Sequence, residues 1–102
     1  MYLIQILLPL YDNQGKPFAQ HEFLRVRDEL SERFGGITTY MRSPARGVWK
    51  EAGETTVHDD IVIYEVMTDE LDREWWKGCR EQLTLAFRQA LLIVRVSEIQ
   101  LL

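Results

Sequence analysis

Three polar residues interrupt stretches that are otherwise built of apolar, strand-forming side chains: Gln5, Glu65 and Arg95. A carboxylate in apolar surroundings can serve as a general base, and a guanidinium near it can hold a carboxylate or a developing enolate. The same trio has a second reading. An ion pair enclosed in an interface between two copies can fix register without doing any chemistry. A polar anchor set in an apolar pocket is the layout of a small-molecule site. Both readings need Gln5, Glu65 and Arg95 to meet on one surface.

Other sets of residues offer less. His58-Asp59-Asp60 brings possible metal donors together, but a third and fourth are needed, and the other histidine, His21, falls in a helical stretch. A solvated strand end accounts for them, and neither a metal nor a cofactor is expected. Arg42, Arg46 and Lys50, interleaved with Tyr40 and Trp49, can hold an anion or stack a ring. They also suit a basic hairpin that offsets nearby acids. Cys79 lies on an apolar helical stripe and reads as an inert thiol. Neither a glycine-rich phosphate loop, a zinc motif nor a Ser/His/Asp signature is present.

The elements that position these residues follow from the hydrophobic pattern. Residues 2–11 alternate as a strand, with Tyr2, Ile4, Ile6, Leu8 and Leu10 on one face and Leu3, Gln5, Leu7 and Pro9 on the other. Both faces are largely apolar, which predicts a central strand. Asp12 to Pro17 is a turn. From about Ala19 the period becomes helical, with Phe23, Val26, Leu30 and Phe34 as its stripe and Gly35-Gly36 as its stop. Ile37 to Ser43 is a second strand, Ala45 to Thr56 a long hairpin connection, and Val57 to Met67 a third strand. Asp69 is placed to cap a second helix striped by Trp76, Cys79, Leu83, Ala86 and Ala90. Gly78 within that helix suggests close packing. Ala90 to Val96 is the last strand.

The order β-α-β-β-α-β in a single domain, residues 1–102, predicts an α+β, ferredoxin-like fold. Its four-stranded antiparallel sheet carries two helices on one face. Alternation assigns Ile4, Ile6, Leu8, Val62, Tyr64, Val66, Leu92, Val94 and Val96 to the helices. Leu3, Gln5, Leu7, Ile61, Ile63, Glu65, Met67, Ile93 and Arg95 take the open face. A contiguous apolar face of that kind marks an interface or a ligand cavity. On neighbouring strands about 4.8 Å apart, Arg95 is expected to reach across the first strand toward Glu65.

Bulk properties narrow the partners. At 102 residues with 46% hydrophobic side chains, the chain has enough apolar material for one packed core. A net charge of −4 argues against nucleic acid. A lone cysteine excludes an intrachain disulfide and suits a reducing compartment. The apolar start lacks a basic segment and a cleavage site, and no apolar run reaches the roughly 18 residues that span a bilayer. A soluble cytoplasmic protein without membrane partners is expected.

Gly47-Val48-Trp49, the Asp60 strand and Phe87-Arg88-Gln89 resemble a group of small uncharacterised bacterial proteins over about residues 6–96. The broader architecture is similar to the dimeric α+β barrel group, whose protomers pack their open sheet faces together. That resemblance implies a homodimer. The group includes cofactor-free monooxygenases, lactone isomerases and stress-responsive proteins, whose catalytic residues differ, so none carries over by position. The sequence therefore points to a homodimer that binds a small apolar or aromatic ligand through Gln5, Glu65, Arg95, Tyr40, Arg42 and Trp49, or that serves as an interaction dimer. The alternative is a small cofactor-free enzyme with Glu65 as base, Arg95 as anion holder and Tyr40 or His58 as auxiliary donor.

Overall fold

A computed structural model describes residues 1–42 and 61–102. The elements are β1 (Tyr2–Pro9), α1 (Gln20–Phe34), β2 (Thr38–Arg42), β3 (Ile61–Thr68), α2 (Arg73–Ala86) and β4 (Ile93–Glu98). They form one antiparallel sheet in the order β2-β3-β1-β4. This is the expected ferredoxin-like arrangement, with the two most apolar strands in the centre. Central placement follows from chemistry, since only strands covered or paired on every side profit from being apolar throughout.

The core lies between the sheet and the helices. Ile4, Ile6 and Leu8 of β1, with Val62, Tyr64 and Val66 of β3, are buried against Val26 and Leu30 of α1 and Trp76 and Leu83 of α2. Phe87 and Leu92, which flank the last turn, are buried with them. Phe18 and Phe23 pack on Phe87 with ring centroids 5.0 and 5.3 Å away. The Tyr64 hydroxyl donates to the Phe23 carbonyl at 2.9 Å, so the phenol is satisfied inside the core. Burial also raises its pKa.

Helix ends depart from the simple reading in two places. Asp72, not Asp69, caps α2, its Oδ1 accepting from the Trp75 amide at 3.1 Å. Thr68 Oγ1 instead bonds the Glu70 carbonyl at 2.9 Å, so the chain is still turning where Asp69 stands. Arg88 then adopts a left-handed φ of 50° and ends the helix, leaving Ala90 exposed beyond it and starting β4 at Ile93. Gly35 closes α1 as expected, with φ 79° and its amide bonded to the Ser31 carbonyl. Among the described residues nothing lies within 4 Å of where a Cβ would stand at Gly78, so none of them makes the expected close packing there.

Face assignment by alternation holds for the central strands. Val96 is the exception: it points to the helix side yet is 42% exposed, because β4 lies at the sheet's edge among the described residues. Ile63 departs the other way. It belongs to the open face but is 4% exposed, flanked in its row by Tyr40 of β2 and Leu7 of β1.

Candidate functional site

The open face carries one polar row across the whole sheet. Thr38 of β2, Glu65 of β3, Gln5 of β1 and Arg95 of β4 stand in register as successive partners. An apolar row on one side holds Tyr40, Ile63, Leu7 and Ile93, and Met67 and Leu3 lie on the other. Antiparallel pairing brings directly opposite Cβ atoms within about 5.5 Å, so side chains in a row meet.

Gln5 Nε2 donates to Glu65 Oε1 at 2.5 Å, and Arg95 Nε donates to Gln5 Oε1 at 2.7 Å. The expected direct approach of Arg95 to Glu65 is therefore replaced by a relay. A whole strand separates the two charged residues, a span of about 9.6 Å. An uncharged amide can accept from one neighbour through its oxygen and donate to the other through its nitrogen. Gln5 and Glu65 are half-buried, while Arg95 is exposed. Arg95 fixes which end of the amide faces Glu65, and Gln5 occupies one carboxylate oxygen. Glu65 Oε2 bears no hydrogen bond among the described residues.

A groove of about 470 Å³ opens beside this row. Leu3, Glu65 and Met67 of the sheet line it, with Thr38, Tyr40 and the Gly35-Gly36 turn. Tyr40 is 47% and Met67 50% exposed, so the groove offers both an aromatic ring and a soft thioether. Of the trio only Glu65 lines it; Gln5 and Arg95 act from behind. Thr38 is the one member of the row that sequence reasoning missed. Its signal was the pairing of β2 with β3, which becomes visible only once the register is known.

The remaining candidates separate cleanly. Arg42 ends β2, and only its strand position is described. Trp49, Arg46, Lys50 and His58-Asp59-Asp60 lie outside the described residues, as do Gly47 and Val48. No group of three or more metal-donor side chains occurs among the described residues. Burial pushes the half-buried Cys79 thiol up to about 11, with Glu29 adding to the effect. No helix among the described residues is long and apolar enough to cross a membrane.

Comparison with known proteins places the fold. No family model and no curated protein matches the chain. Among solved structures it is similar to a phage SAM lyase in complex with S-methyl-5′-thioadenosine, at 14% identity and a TM-score of 0.58. That match covers 95% of this chain and 80% of the other. A phage SAM lyase in the apo state matches at 13% identity and a TM-score of 0.55, covering 94% and 78%. At such identities the likeness is one of fold: a small α+β domain.

Proposed function

We propose that the open sheet face binds a small molecule with a flat or apolar part and a hydroxyl-bearing part. The observation that carries this is the Arg95–Gln5–Glu65 relay, which orients a carboxylate at the edge of a largely apolar groove. Glu65 Oε2 accepts a ligand hydroxyl, Tyr40 faces a ring, and Leu3 with Met67 receive an apolar tail. A second copy completes the enclosure by laying its own open face over the first. The exposure of Tyr40, Met67 and Ile93 on that face supports the pairing, because scattered apolar exposure becomes a patch here.

S-methyl-5′-thioadenosine, the ligand in the fold neighbour, has the matching parts: a purine, a ribose diol and a thioether. It is the first compound to test. Titration calorimetry should show it binding the native protein. Glu65→Gln should weaken binding about tenfold, since hydrogen bonds to a charged group contribute about 1.5–3 kcal/mol. Heat that is absent, or that Glu65→Gln leaves unchanged, would overturn the reading. The second reading, an enzyme with Glu65 as general base, draws support from the lyase fold of the neighbours. It requires product formation from a related sulfonium or thioether nucleoside that Glu65→Gln abolishes while binding persists.

A further inference from the structure

We infer that the edge of β4 beneath α2 is a second binding site, which takes an acidic peptide segment as an added strand. Arg73, Lys77 and Arg80 follow one another at helical spacings of four and three residues, which puts them on one face of α2. All three are exposed, and none has a salt-bridge partner among the described residues. Glu74 and Glu81 flank Lys77 at i−3 and i+4, yet among the described residues neither forms a salt bridge with it, and neither lines the groove that Arg73, Lys77 and Arg80 share. Arg73 opens the helix, where the positive end of the dipole disfavours a cation, so its placement is not explained by helix stability.

Beneath these cations lies a groove of about 300 Å³ with Leu71, Trp76, Val94 and Val96 as its apolar lining. β4 is an edge strand among the described residues, so its outer backbone groups are directed away from the sheet. An extended segment pairing there would send alternate side chains toward α2. Alternate strand residues are about 6.8 Å apart, close to the roughly 6 Å rise from Arg73 to Lys77. Acids at alternate positions therefore meet successive cations, and the small apolar residues between them fall on the open-face side, beside Ile93.

Charge also selects the occupant. A second copy pairing β4 with β4 about a two-fold axis would bring the two cationic faces together, since such an interface sets each patch against itself. A cationic groove on a chain of net charge −4 suits an acidic partner instead.

The test uses a labelled peptide of about ten residues that alternates glutamate with valine, the pattern that strand addition recognises. Anisotropy titration at low salt should show binding that weakens as salt rises and that Lys77→Glu, or Arg73→Glu with Arg80→Glu, reduces at least about tenfold. The same peptide N-methylated at alternate amides keeps its charge but cannot complete the ladder, and should bind at least about tenfold more weakly. Glu65→Gln should leave the interaction unchanged, because it alters only the other face. Circular dichroism of the variants should match the native protein, as all three cations are exposed. The inference is overturned if the peptide fails to bind, if charge reversal has no effect, or if the N-methylated peptide binds equally. A single-stranded oligonucleotide of equal charge that competes as well as the peptide would also overturn it.

Discussion

The two faces of the sheet are made from alternate residues of the same strands, yet they follow different rules. On the covered face Ile4, Ile6, Leu8 and Val66 are all but inaccessible, and the hydroxyl of buried Tyr64 is spent on a backbone carbonyl. On the open face the apolar residues other than Ile63 are partly or fully exposed, and among the described residues three polar side chains hydrogen-bond only to one another. Packing accounts for the first face completely. It does not account for the second, where leucines or valines would make a drier and simpler sheet. What the covered face contributes is stability; what the open face keeps is an oriented carboxylate.

Substitutions on each face test that contrast. The largest effect belongs to the covered side. Phe87→Ala, at a site with 0% exposure, should cost about 3–5 kcal/mol by chemical denaturation. Ile93→Ala on the open face should change the stability of one protomer by no more than about 0.5 kcal/mol. Equal costs would erase the distinction. At the helix entry, Asp72→Ala should cost about 1 kcal/mol, whereas Asp69→Ala should stay within about 0.5 kcal/mol. Gln5→Leu should leave the melting temperature close to native while it lowers affinity for S-methyl-5′-thioadenosine. A collapse of the fold instead would make the relay a structural device. The smallest change concerns Cys79. Because its folded pKa is raised, little thiolate exists at pH 8–9, and iodoacetamide should react slowly until the pH approaches 11. Reaction at an ordinary rate at pH 8 would place that thiol outside the core.

Much of this was legible in the sequence because alternation and helical period report burial directly. The apolar character of both faces of β1 and β3 placed them centrally, and the cost of burying Glu65 against the helices turned it outward. Register was not legible. That Thr38 stands opposite Glu65, and that Gln5 rather than Arg95 touches it, depends on how the strands slide past one another. Alternation also ignores how far the helix layer extends, which is why Val96 was assigned to a core that does not reach it. The choice between Asp69 and Asp72 turned on the local bend at Thr68, a hydrogen bond that composition does not specify.

Engagement of ligand by the open face through the Gln5-bridged row is the proposal most open to test. Nuclear magnetic resonance reads this directly, through the side-chain amide protons of Gln5, which sit between Glu65 and Arg95. On addition of S-methyl-5′-thioadenosine, those protons and the backbone amides of Thr38 and Glu65 should shift, while Lys77 and Arg80 on α2 stay in place. Shifts centred on α2, or a Gln5 side chain that does not respond at saturating ligand, would contradict it.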